Sequence, residues 1–197
     1  MWGKRSFLIA ALIGVAILAV GILPARPALL GVRLITSDGH ELISFKKNTV
    51  YIKKTPYTVQ RWGLDRLKLT RKGTEEGVFL KRFGVKLMIR DLKGNLLHII
   101  LKEGWVFRVD SPIGAHLVFF KVSPKKVTVF RKEGKTLFTL LPKLKSVLMN
   151  DRNGKTLYIL KGDSELYPAA FLCLSELTAA ERAACYLLYK KIPLAYQ

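Results

Sequence analysis

Hydrophobic and polar positions fall into three regimes along this chain. From Phe7 to Leu23 the sequence is apolar at every position, interrupted only by glycines and closed by Pro24. From about residue 33 to 163, short apolar runs alternate two residues apart between turn signals, and no long helical periodicity occurs. After Leu166 the apolar positions crowd together in a helical pattern. The middle regime predicts strands, and the outer two predict helices.

The middle regime keeps a beat. Gly94, Gly114, Gly134 and Gly154 recur every 20 residues, each inside a turn such as Asp91-Leu92-Lys93-Gly94 or Asp151-Arg152-Asn153-Gly154. Three residues after each stands Leu97, Leu117, Leu137 or Leu157, and five before stands Ile89, Val109, Val129 or Met149. Apolar residues two apart share one face of a strand, so each unit reads as strand, glycine turn, strand. Glycine supplies the positive φ that a tight turn needs. Further strands are expected upstream at 41–46, 49–54, 57–61, 65–70 and 78–83, about twelve in all. A propeller blade takes about 40 residues, so this stretch would make only two, and a hairpin meander curled into a closed antiparallel barrel fits better.

At the N-terminus, Lys4 and Arg5 precede the apolar run, which with Ser6 counts 18 residues. As a helix it would span about 27 Å, close to the hydrocarbon thickness of a bilayer. A cleavable signal and a single-pass anchor both fit; the length and the poor cleavage sites at Ala19-Val20-Gly21 and Ala25–Ala28 favour the anchor. The positive charges before the run favour an inside N-terminus and an external or periplasmic domain. Residues 1–32 are thus expected to be an anchor or signal segment with its linker, and 33–197 a basic β domain.

At the C-terminus, Pro168 can open a helix, and Thr178-Ala179-Ala180-Glu181 matches a capping box. The Ala179–Leu188 stretch is apolar round most of its circumference, which predicts an enclosed helix. A second membrane span would put Glu176, Glu181 and Arg182 in mid-segment, at about 2.5–3.5 kcal/mol each. Cys173 and Cys185 read as small buried hydrophobes.

Composition adds one large fact: 34 Lys and Arg against 14 Asp and Glu, a net charge of +20. The acids are too few to neutralise the bases, so the excess faces solvent or a polyanion. A heat-adapted surface usually enriches Glu alongside Lys, and here acids are scarce. The basic clusters Lys46-Lys47 and Lys53-Lys54, then Arg66, Lys68, Arg71 and Lys72, then Lys125-Lys126 near Arg131 and Lys132, are the candidate polyanion-binding residues. Aromatic interleaving of the kind single-stranded nucleic acid uses is confined to Tyr51, Tyr57 and Trp62. Trp62 and Trp105 are expected in the core or the barrel wall.

The recurrent Asp-x-x-Gly-x-x-Leu turns at Asp91–Leu97 and Asp151–Leu157, with the apolar stretch 168–189 at the end, resemble the tubby C-terminal-like superfamily. That group includes LURP-one-related and phospholipid-scramblase-like proteins. The resemblance covers residues 33–192. It implies a closed barrel threaded by a hydrophobic C-terminal helix and a module that binds membranes or phosphorylated lipids rather than an enzyme. The sequence departs from the scramblase-like pattern in carrying its expected span at the N-terminus. A pleckstrin-homology-like barrel, the nearest rival, would leave several strands unassigned.

Catalytic motifs are absent: no nucleophile elbow, P-loop, dinucleotide glycine fingerprint or zinc-protease helix occurs. His40, His98 and His116 have no ligand spacing with the cysteines, although His98 and His116 hold neighbouring positions in consecutive units where they could approach. No cofactor or metal is expected. The reading is a membrane-anchored, non-enzymatic module whose basic face engages anionic lipid head groups or another polyanion. Its alternatives are an accessory subunit of a larger membrane-associated complex matched to an acidic neighbour, and a nucleic-acid-binding barrel if the domain is cytoplasmic.

Overall fold

The computed structural model describes residues 31–163 and 165–190. The anchor or signal helix expected over residues 6–23 lies outside the described residues. Among the described residues, no helix is long and apolar enough to cross a membrane.

Fourteen antiparallel strands form one closed barrel. They are β1 (Val32–Thr36), β2 (Glu41–Lys46), β3 (Thr49–Ile52), β4 (Thr55–Trp62), β5 (Arg66–Arg71), β6 (Gly77–Phe83) and β7 (Lys86–Asp91), then β8 (Leu96–Glu103), β9 (Val106–Asp110), β10 (His116–Val122), β11 (Val127–Phe130), β12 (Thr136–Lys143), β13 (Ser146–Asp151) and β14 (Thr156–Lys161). Each pairs with its sequence neighbours, and β1 closes the wall on β14 through Arg33 opposite Lys161 to Thr36 opposite Tyr158. The expectation of about twelve strands is corrected to fourteen. Val32–Thr36 precedes the first strand read at 41–46, and it is the strand that leaves no free edge.

The twenty-residue beat is a hairpin repeat. In the four beat turns the amide of Asp91, Ser111, Arg131 or Asp151 donates to the carbonyl four residues on. The glycine amide donates back to that first residue's carbonyl, and each glycine sits at positive φ, 93° at Gly94 and 83° at Gly154. A register shift recurs beside each of these turns, and again in the β1–β2 hairpin.

Strand alternation puts two buried apolar residues on the inner wall from ten of the strands, such as Val32 and Leu34, Leu67 and Leu69, Leu87 and Ile89, Val127 and Val129, Val147 and Met149, and one from each of β4, β8, β12 and β14. The interior is filled by a helical hairpin, α1 (Leu166–Phe171) and α2 (Ala179–Tyr189). Residues Ala183 to Leu188 are all at most 2% exposed, so six consecutive positions cover every side of α2 and solvent reaches none. Alanines bring the helix close to the wall, and aromatic rings close the remaining space: Phe107 stacks on Phe120 at 4.6 Å and on Tyr167 at 4.8 Å, and Phe171 stacks on Tyr189 at 4.8 Å. The enclosed helix and its capping box are as expected. The Thr178 hydroxyl accepts from the Glu181 amide, and the Glu181 carboxylate accepts from the Thr178 amide at 2.7 Å.

Both cysteines are free and buried. Burial pushes the Cys173 thiol up to about 12 and the Cys185 thiol well above its ordinary value. Both are inert packing groups.

Candidate functional site

An up-and-down barrel sorts its turns by parity onto two rims. Gly31 leads into β1 at one end, here the lower rim, which also carries the hairpins β2–β3, β4–β5, β6–β7, β8–β9, β10–β11 and β12–β13. The other seven hairpins form the upper rim. The Asp-x-x-Gly turns are all at the upper rim; the lower rim mostly turns in two residues, at Gly84-Val85, Gly104-Trp105 and Leu144-Lys145.

The two rims differ in exposed apolar surface. Among the described residues seven large hydrophobic side chains are exposed, and six of them, Trp62, Leu64, Phe83, Val85, Trp105 and Leu144, stand in or beside lower-rim turns. Trp105 is 70% exposed and Leu144 94%; the seventh, Ile113, is at the upper rim. This corrects the core or wall positions expected for Trp62 and Trp105. Trp62 points outward at the end of β4, where only an edge contact with Phe79 at 6.4 Å covers it. Trp105 occupies a two-residue turn that cannot reach the core.

Charge follows the same division. Counting the turns with their flanking strand residues, the six lower hairpins carry eight basic and two acidic side chains, and the seven upper hairpins ten basic and eight acidic. Upper-rim acids are committed to turn geometry: Asp91 accepts from the Asn95 amide and side chain at 2.8 and 2.7 Å, and its pKa is lowered mainly by the Asn95 side chain. Asp151 accepts from the amides of Asn153 and Lys155, and Glu76 pairs with Arg71 at 2.8 Å. Among the described residues, the lysines of the lower hairpins, such as Lys46, Lys47, Lys125, Lys126 and Lys145, pair with no carboxylate.

The candidate basic residues are thereby divided. Lys46, Lys47, Arg66, Lys125 and Lys126 stand at the lower rim. Lys53, Lys54, Arg71 and Lys72 stand at the upper rim, and Lys68 faces outward from the middle of β5, opposite Gln60. Lys68, Arg71 and Lys72 line a shallow outer cleft of about 490 Å³ with Thr58, Gln60 and Thr70.

The helical hairpin enters and leaves the barrel through the lower rim, and its two ends are tied there. The Tyr186 hydroxyl donates to Asp163 Oδ2, and Lys190 Nζ reaches Asp163 at 2.7 Å and Glu165 at 2.6 Å. Burial, reinforced by the Asp163 charge, raises the Tyr186 pKa far above its ordinary value, so the phenol stays a donor. Beside this cluster opens a cavity of about 630 Å³, whose lining includes Leu64, Arg82, Val85, Lys102, Tyr167 and Tyr189. No sequence signal marks this cavity, because its walls come from three hairpins and both ends of the plug.

Higher in the barrel, His98 Nδ1 lies 2.7 Å from Glu181 Oε1, and the Glu181 carboxylate is 1% exposed. Burial alone would raise this carboxyl's pKa; the hydrogen bonds with His98 and Thr178 outweigh it and hold the group below its ordinary value. His116 instead pairs with Asp110 at 2.8 Å. The approach of His98 to His116 suggested by their spacing does not occur: β9 lies between their strands, and each binds a different carboxylate. Among the described residues, no group of three or more His, Cys, Asp and Glu side chains could hold a metal ion.

Compared with known proteins, the chain matches no family model, no curated protein and no solved structure.

Proposed function

We propose that this chain is a membrane-anchored, non-enzymatic binding module whose lower rim rests on an anionic lipid surface. The observation that carries this reading is the gathering of exposed tryptophan, aliphatic and lysine side chains on the rim where Gly31 begins the barrel. Amphipathic rings and aliphatic tips partition into the bilayer interface, and interspersed lysines attract anionic head groups. The apolar run 6–23 ends eight residues before Gly31, a tether of under about 30 Å at full extension. A membrane holding that run would therefore face the rim built to meet one. Each lysine at the surface contributes about 1 kcal/mol. With Lys4 and Arg5 inside, the domain would be external or periplasmic.

The closed wall around a buried C-terminal helix supports kinship with the tubby C-terminal-like superfamily, and the N-terminal position of the apolar run departs from it. A second reading, an accessory subunit of a membrane-associated complex, draws on a half-buried outer row in which Leu141, Leu148, Ile159 and Ile35 lie opposite one another across four strands. Stoichiometric co-purification would favour it.

The test uses the full chain with Trp2→Phe, so that emission reports Trp62 and Trp105. Reconstituted into phosphatidylcholine vesicles, it should shift to the blue when phosphatidylglycerol is included. Salt of about 1 M, where the Debye length is about 3 Å, should reverse the shift. Emission indifferent to anionic lipid would sink the reading.

A further inference from the structure

We propose that the cavity in the lower mouth of the barrel takes the phosphate-bearing head group of a single anionic lipid, a site that rests on the membrane-facing reading and adds a specific ligand to it. Four observations build it.

First, strand alternation aims Arg82 and Lys102 inward. They continue the inner rows of Val78 and Leu80 on β6 and of Ile100 on β8, one step beyond the apolar layer. Second, neither cation has an acidic partner among the described residues. The Lys102 ammonium lies 5.8 Å from the Phe107 ring centre, and Arg82 sits near the Tyr167 and Tyr189 hydroxyls and eases their ionisation slightly. By contrast Arg66, Arg71, Arg108 and Lys190 all pair with carboxylates. Two unneutralised cations directed into one cavity call for an anion there.

Third, the inner wall of the cavity supplies neutral donors. The Tyr167 and Tyr189 rings pack together at 5.1 Å, and burial holds both phenols protonated well above their ordinary range. Glu165 and Lys190 also line the cavity, and they pair with one another at 2.6 Å, which leaves Arg82 and Lys102 as the charges of its lining without a partner of opposite sign among the described residues. Fourth, polarity reverses at the lips. Leu64, 58% exposed, and Val85, 61% exposed, line the opening and are also two of the rim's apolar tips. A ligand that is anionic where it enters deepest and apolar where it leaves matches this gradient. A phospholipid lying in the plane the tips meet presents that arrangement, its phosphate rising to Arg82 and Lys102 and its chains passing Leu64 and Val85. The volume of about 630 Å³ is within the usual range of ligand pockets.

The experiment titrates the full chain, in uncharged detergent micelles, with dioctanoyl phosphatidylglycerol, dioctanoyl phosphatidylcholine and the tailless glycerol 3-phosphate, and follows heat and bound-lipid mass. The expected result is saturable one-to-one uptake of dioctanoyl phosphatidylglycerol, with the other two at least about tenfold weaker. Arg82→Gln with Lys102→Gln should weaken uptake by about tenfold or more, and the charge-keeping pair Arg82→Lys with Lys102→Arg should retain most of it. Lys93→Gln with Lys155→Gln, at the upper rim, should leave it unchanged. Equal affinity in the glutamine pair would overturn the site. So would equal binding of glycerol 3-phosphate, which would mark a soluble phosphate ester as the ligand, or binding that emerges only after deletion of residues 191–197. A chain that keeps the vesicle emission shift but takes up no dioctanoyl lipid loses this site alone; one that loses the shift loses the surface reading first.

Discussion

The two rims of this barrel are made from the same strands and filled by the same plug, yet they solve the turn problem differently. The upper rim spends its polar residues on itself: Asp91, Ser111 and Asp151 hold the amides of their own turns, and Gly94, Gly114, Gly134 and Gly154 supply the positive φ. The lower rim has shorter turns with little internal bonding, and it raises apolar tips and lysines instead. Left-handed lysines occur at both rims, Lys47 and Lys145 below at φ of 50° and 59° and Lys53 and Lys54 above at 47° and 71°, so backbone strain does not separate them. A rim that raises apolar tips beside unpaired lysines is arranged for a partner, and a rim that saturates its own hydrogen bonds is arranged for water.

Removing the scaffold the rims share should have the largest effect. Phe171 is fully buried among Phe107, Phe120 and Tyr189. Phe171→Ala should lower stability by about 3–5 kcal/mol in denaturant titration and loosen both rims together. If only the lower rim were affected, the plug would not be a common support.

The plug's tie to the wall comes next. Glu181→Gln removes the buried carboxylate that binds the half-buried His98 imidazole and should cost about 3 kcal/mol. Because folding holds this carboxyl below its ordinary value, its contribution is fully present above the unfolded pKa of about 4.3 and is lost as pH falls through the lower, folded value. The native chain should therefore lose stability below about pH 4, and Glu181→Gln should lose less over that interval. Asp163→Asn at the lower mouth should cost less, about 1–2 kcal/mol, since Lys190 keeps Glu165.

Charge removal separates the rims directly. Lys125→Gln with Lys126→Gln should weaken the anionic-lipid-dependent emission shift by about 2 kcal/mol in its salt titration. Lys132→Gln with Lys135→Gln, at the upper rim, should change it little. The smallest effect is the sharpest contrast. Lys145→Gly should gain up to about 1 kcal/mol in stability by relieving the left-handed backbone, and lose about 1 kcal/mol of lipid attraction. Gly154→Ala should lose about 1 kcal/mol, since no atom lies within 4 Å of a Cβ there and only the backbone φ of 83° opposes it.

Much of this architecture is legible from local signals. Alternation, the glycine beat and the Thr178–Glu181 capping box each depend on residues a few positions apart, and each appears in the structure as read. The pairings that close the fold are distant. β1 meets β14 across the whole domain, and His98 finds Glu181 across 83 positions, so neither partner is visible from its neighbours. Rim assignment fails for a further reason: in an up-and-down barrel it depends on strand parity, and one missed strand sends every later turn to the wrong end. Lys46-Lys47 and Lys53-Lys54 are correctly read at the two ends of one strand, but without Val32–Thr36 nothing says which of the two doublets shares a rim with the point where the chain enters the barrel. Trp62 and Trp105 were expected inside because aromatic rings usually are; only their places at a strand end and in a two-residue turn show otherwise.

Leu144 and Ile113 offer the most direct measurement. They are aliphatic, 94% and 92% exposed, and on opposite rims, while both native cysteines are buried and inert to labelling. Spin labels placed by Leu144→Cys and Ile113→Cys in the full chain, reconstituted in vesicles containing phosphatidylglycerol, report depth through relaxation by oxygen and by a water-soluble nickel complex. The lower rim should carry its label into the lipid interface, shielded from nickel and open to oxygen, with the Ile113 label in water. Equal water exposure at both positions, or immersion of Ile113 in place of Leu144, would contradict the account.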